Sequence, residues 1–79
     1  MIIYKITNKR TGKVYIGQCV GRLEARWRRH IRAKDNSIFH KSVRKYGAAN
    51  FTVEQIDTAS SIKELNEKEK YWIAFHSIH

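Results

Sequence analysis

Cysteine occurs once in these 79 residues, at Cys19, and only seven Asp and Glu stand against sixteen Lys and Arg. A single cysteine excludes an internal disulfide and, with no partner cysteine nearby, completes no zinc pattern. Cys19 therefore reads as a small, partly buried thiol. No apolar run approaches the roughly 20 residues that a membrane span needs, and the chain opens directly on strand-like sequence. The expectation is a soluble, intracellular (cytoplasmic) protein with no membrane partner. The shortage of carboxylates leaves a formal charge of +9 and a pI near 10.1, which favours a polyanionic partner. Nine of the basic residues fall between Arg22 and Lys45, accompanied only by Glu24 and Asp35. A chain this short buries only about 60% of its extended surface, so residues 1–79 are read as one domain.

What the chain does have is a strand, a turn and a helix in close succession from Val14 to His30, VYIGQCVGRLEARWRRH. At about 100° per residue, Leu23, Trp27 and Ile31 form an apolar stripe, with Arg26 and His30 along one edge. Two polar side chains at a core boundary mark a candidate site. Upstream, residues 2–7 (IIYKIT) are β-branched and aromatic and read as a strand with Ile2, Tyr4 and Ile6 on one face. The polar, glycine-ended stretch 8–12 (NKRTG) reads as a hairpin loop, and 13–18 (KVYIGQ) as the second strand. This hairpin brings Tyr4 and Tyr15 within cross-strand reach, although tyrosines are also ordinary strand formers.

The first helix is predicted over 22–34, with Arg28, Arg29 and Arg32 on its outer surface. Asp35, Asn36 and Ser37 offer turn and N-cap chemistry for a second helix over 38–46. Phe39, Val43 and Tyr46 form its apolar stripe, Lys41, Arg44 and Lys45 lie opposite, and Gly47 is a natural stop. A third strand is predicted over 51–57, its alternation broken around Glu54 to Ile56. Ser61 and Glu64 have the spacing of a capping box for a last helix over 61–75. Its apolar stripe is Ile62, Leu65, Trp72 and Ile73, with Glu64, Glu67 and Lys68 opposite and Glu69 in the middle of the stripe. An ionised carboxylate there is costly unless a cation or hydrogen-bond donors meet it. Arg26 or another basic residue is the plain structural partner. His76 shares the Glu69 face without the neighbours of a zinc pattern, and His79 is terminal.

Tyr4, Tyr15, Arg26, His30 and Glu69, in that order, resemble the GIY-YIG nuclease superfamily over essentially the whole chain. The first motif stands as Ile2-Ile3-Tyr4 and the second as Tyr15-Ile16-Gly17, a typical hairpin length apart. RWRRH at 26–30, KYGAANF at 45–51 and NEKEKYWI at 66–73 match further. Within the family the chain looks most like the catalytic modules of homing and phage-type endonucleases. The resemblance implies an α+β fold in which a small three-stranded antiparallel sheet is flanked by three helices. Two departures stand out: Ile2 replaces the glycine of the first motif, and no Gly-Tyr-Asn segment follows the glutamate helix before His79. Relative to the family, either the domain is truncated at its C-terminus or the protein differs there.

The resemblance also implies a chemistry, metal-dependent hydrolysis of DNA phosphodiesters. Glu69 would hold one divalent ion, Mg²⁺ with Mn²⁺ as substitute, since carboxylate oxygen suits a hard cation. Arg26 would bridge phosphate oxygens with its planar fork, and Tyr4 and Tyr15 would position and deprotonate a water, the base being unassigned between them. His30 would donate to the phosphate or assist proton transfer. Arg22, Arg28, Arg29, Arg32, His40, Lys41 and Arg44 would contact DNA, His40 being alternatively a catalytic position, and target choice would come from an attached or separate DNA-binding domain. The competing reading is a nucleic-acid-binding module of the same fold with impaired catalysis.

Overall fold

The computed structural model of the protein describes residues 1–33 and 37–78. Its elements are β1 (Ile2–Asn8), β2 (Val14–Cys19), α1 (Leu23–Arg32), α2 (Ile38–Tyr46), a 3₁₀ turn (Ala48–Asn50), β3 (Phe51–Thr58) and α3 (Ile62–Ile78). The predicted second helix has these bounds, and α1 is shorter than expected because Ala33 is already extended. The turn expected at Asp35 and Asn36 lies outside the described residues, as does His79.

The three strands form one antiparallel sheet in the order β2-β1-β3. The central strand is buried on both faces: Ile3, Tyr4 and Ile6 are each 1% exposed or less. Each such aliphatic side chain contributes roughly 1.5–3 kcal/mol by leaving water. On one face Ile3 and Ile16 pack against Leu65 and Trp72 of α3. On the other, Tyr4, Ile6 and Cys19 meet Leu23 and Trp27 of α1, Phe39 of α2, and Tyr15. The broken alternation of β3 has a physical cause. Ile3 pairs with Asp57 and Tyr4 with Gln55, so Ile56 is an extra residue in the ladder, a β-bulge.

Local polar groups fix where these elements begin and end. The Asn8 side chain accepts from the Arg10 and Thr11 amides at 2.8 and 3.4 Å, and Gly12 takes a φ of 78° to close the hairpin. Ser37 Oγ accepts from the His40 amide at 3.2 Å, the expected N-cap. Gly47 ends α2 with φ 84°. Ser61 Oγ accepts from the Glu64 amide at 3.2 Å, but the return half of the box is absent: the Glu64 carboxylate turns to Ser60 Oγ and Lys68.

Two helix faces differ from the expected stripes. In α1 the inward set is Leu23, Arg26, Trp27 and His30, spaced i, i+3, i+4, i+7; His30 is 7% exposed, whereas Ile31 faces solvent. In α3 the inward set is Leu65, Glu69, Trp72 and His76, with Ile62 and Ile73 exposed. Lys68, expected on the outer surface, instead folds over the end of β3. Its ammonium donates to Asp57 Oδ1 at 3.2 Å and to the Thr58 carbonyl at 2.6 Å, while Trp72 Nε1 donates to Asp57 Oδ2 at 3.0 Å. This cluster ties α3 to the sheet and sets the rotation that turns Glu69 inward.

The glycine of the second motif has a steric task. Gly17 sits opposite Tyr4 in the ladder, and a Cβ there would fall within 2.8 Å of Tyr4 Cε2 and closer still to Cζ and the hydroxyl. The ring cannot retreat, because it is buried and its hydroxyl is hydrogen-bonded. Gly17→Ala is therefore expected to cost about 1–3 kcal/mol of overpacking, measured by urea unfolding. A variant as stable as the parent would show that the Tyr4 ring has room to move.

Candidate active site

The hairpin, α1 and α3 each send side chains toward Tyr15. The rings of Tyr4 and Tyr15 have centroids 6.4 Å apart, close because Tyr4 stands opposite Gly17 and Tyr15 opposite Ile6 on the same face. Their situations differ. The Tyr4 hydroxyl is buried and 2.8 Å from His30 Nε2, and His30 Nδ1 is 2.8 Å from His40 Nε2. Tyr15 is only half-buried, its ring stacked on Phe39 at 4.2 Å and 11°. Its hydroxyl has no hydrogen-bond partner among the described residues.

Arg26 of α1 lies near both tyrosines. Its Nε is buried and lacks a hydrogen-bond partner among the described residues, and its charge acts on both phenols. Burial pushes the Tyr4 pKa above its ordinary value, while the neighbouring guanidinium pulls the other way. Burial likewise raises Tyr15, Arg26 opposes it, and the negative charge of Glu69 adds to the rise. Arg26 itself is held above its usual value, chiefly by Tyr4, so it remains a cation.

Glu69 is half-buried and makes no ion pair or hydrogen bond among the described residues. The ion pair with Arg26 that the sequence left open is therefore not formed. Instead the carboxylate stands near enough to Tyr15 for its charge to be felt there. No group of three or more His, Cys, Asp or Glu suited to a metal occurs among the described residues. A closed all-protein cage is thus excluded for them. A single unpartnered carboxylate suits Mg²⁺, which keeps several waters and takes one or two carboxylates plus substrate phosphate.

Of the residues expected to meet DNA, Arg22, Arg28, Arg29, Arg32, Lys41 and Arg44 are exposed. Arg22, Arg26 and Arg29 line one recess of about 430 Å³ at the junction of β2 and α1. Two of the seven also bond within the protein: His40 is turned inward onto His30, and the exposed Arg44 donates from Nη1 to the Ala33 carbonyl at 2.8 Å, satisfying the end of α1. His30, expected to face a phosphate, has one ring nitrogen at Tyr4 and the other at His40. It is a buried link between helix and strand.

Three residues in and around the site went unremarked in the sequence. Gln18 lines the same recess as Arg26 and has a buried Oε1 without a partner. Asn8 is buried at the hairpin end and reaches Ser42 of α2 at 3.4 Å. Asp57 anchors α3, and Trp72 and Lys68 hold its pKa below the usual carboxylate range. Only Asn8 carried a sequence signal, as the first residue of a glycine-ended turn.

The model of the GIY-YIG catalytic domain family matches residues 1–77. The chain belongs to the GIY-YIG family, and the sheet order, the paired tyrosines and Gly17 packed on Tyr4 are its local expression. Membership places it in a nuclease superfamily, whose domain acts on DNA. No curated protein and no solved structure matches the chain. Among the described residues no helix is long and apolar enough to cross a membrane.

Proposed function

We propose that the domain is a divalent-metal-dependent DNA endonuclease of the homing or phage type, with Tyr15 as general base. The observation that carries this reading is Glu69, a half-buried carboxylate with no partner among the described residues, near a tyrosine whose hydroxyl is equally without one among them. Glu69 would hold Mg²⁺, or Mn²⁺ in its place. The ion would supply Lewis-acid relief of charge at the scissile phosphate.

Arg26 bridges phosphate oxygens with its two-pronged donor face and neutralises charge that grows as the pentavalent transition state forms. Tyr15 orients the attacking water and takes its proton. For this the phenol must first ionise, and Arg26 favours that by pulling its pKa down against the rise that burial imposes. Tyr4 is a positioning residue. Its hydroxyl bond to His30, and from there to His40, fixes α1 against the sheet so that Arg26 is aimed at the site. Arg22, Arg28, Arg29, Arg32 and Lys41 hold the DNA backbone, with target choice left to a separate or attached DNA-binding domain.

Supercoiled plasmid with the protein, in Mg²⁺ or in chelator, tests the reading. Nicked circle is expected only with Mg²⁺. Tyr15→Phe should reduce nicking by about 10²–10⁴-fold, the range for a general base, with DNA retention on a gel unchanged. Retention without nicking under any divalent ion would instead leave the catalytically impaired binding module.

A further inference from the structure

Between the β1–β2 hairpin and α2 lies an open groove of about 640 Å³, most of whose lining has no part in the cleavage chemistry. It falls within the roughly 300–1,000 Å³ of small-molecule clefts. Its floor is aromatic, formed by Tyr15, Phe39, Tyr46 and Phe51, and Lys13, Lys41 and Lys45 stand around it. Among the described residues no carboxylate lines it. Lys45 lies over the Tyr46 ring at 5.2 Å. At the mouth is Ile38, an aliphatic side chain 88% exposed at the first position of α2.

An apolar floor ringed by ammonium groups suits a ligand that is flat and aromatic at one end and anionic at the other. An unstacked nucleotide has that form, because every base presents a π-face to an aromatic side chain while its phosphates meet lysine. Position supports the match: the Tyr15 that floors the groove is the candidate base of the reaction, so a nucleotide seated there would be a neighbour of the scissile phosphate. We propose that the groove receives one unpaired nucleotide of the DNA substrate, its base on the aromatic floor and its phosphates on Lys13, Lys41 and Lys45. The domain would then prefer DNA with a bulge, flap or frayed step over a perfect duplex. This rests on the DNA-cleaving reading above.

The test compares two duplexes of one sequence, fully paired or carrying a single bulged 2-aminopurine, by fluorescence anisotropy in chelator. The bulged duplex should bind about tenfold more tightly, the scale of one base stacked on an aromatic side chain. Its 2-aminopurine emission should change on binding. Ile38→Glu places a carboxylate at the mouth and should bring the two affinities together and abolish the emission change. It should also fold, since the side chain is exposed and an acidic residue suits a helix N-terminus. Equal wild-type affinities for the two duplexes would overturn the proposal. So would a homodimer in sedimentation that Ile38→Glu disperses, which would give the groove to a second copy. Plasmid nicking in Mg²⁺ by the same preparation separates the two readings: nicking without bulge preference removes the groove alone, and bulge preference without nicking removes the nuclease alone.

Discussion

Glu69→Gln should abolish Mg²⁺-dependent cleavage, by about 10²–10³-fold or more, as for loss of a preorganised electrostatic contact at a transition state, and should leave the fold standing. The second half of that expectation comes from geometry. Had Glu69 been paired with Arg26, the substitution would strand a guanidinium and cost roughly 1–3 kcal/mol. No such pair exists among the described residues, so neutralising a partly desolvated carboxylate leaves stability unchanged or slightly raised. A third readout needs neither metal nor DNA. Glu69 raises the Tyr15 pKa, so the Gln variant should ionise that phenol at lower pH, seen in the alkaline absorbance titration of the tyrosines. Cleavage at the wild-type rate, or a melting temperature well below wild type, would each sink the assignment.

The sheet and helices were legible because hydrophobic period, caps and turn residues agreed. IIYKIT and KVYIGQ are rich in β-branched and aromatic residues around a polar, glycine-ended loop, and Ser37 and Gly47 bracket α2 as capping chemistry requires. The third strand was blurred where Ile56 is inserted into the ladder, since a bulge breaks the two-residue period on which strand reading rests. Helix rotation was the weaker part. A stripe drawn through Leu23, Trp27 and Ile31 counts only apolar residues. The face that packs includes His30, because its imidazole fits among Tyr4, Tyr15 and Phe39 at ring separations of 5.0–6.0 Å. Polar side chains that bury by finding partners are invisible to a hydrophobic count.

The same distinction divides the site. Tyr4, Tyr15, Arg26, His30 and Glu69 could be named as a set from the resemblance of their motifs to the family, and the other four meet Tyr15 or bear on it electrostatically. What order could not supply was the inequality of the two tyrosines, which arises from the buried bond of Tyr4 to His30 and the half-open position of Tyr15. Nor could it show that Lys68 caps the end of β3 instead of facing outward, a contact across more than one element that fixes the rotation of Glu69. The lysine-ringed groove was equally hidden, its walls drawn from the hairpin, α2 and β3.

Arg26→Ala carries the other large expected effect, and its signature is a displaced pH profile as well as a lost rate. The guanidinium opposes the rise that burial imposes on both phenols. Without it the Tyr4 and Tyr15 pKa values climb further above their ordinary value of about 10. If Tyr15 must ionise to act, the rising limb of the cleavage profile moves to higher pH, and the alkaline absorbance titration of the free protein moves with it. Cleavage at neutral pH should fall by about 10²–10³-fold, for loss of one electrostatic contact to the transition state, with a much smaller loss of DNA affinity. Arg26→Lys separates charge from shape. An ammonium restores much of the field at the phenols, so the titration should return toward wild type, but it cannot bridge two phosphate oxygens, so most of the rate stays lost. A lysine variant that recovers the rate along with the titration would show that Arg26 acts as a point charge only. Equal losses in affinity and cleavage for the alanine variant, with an unmoved pH limb, would reassign Arg26 to ordinary backbone contact.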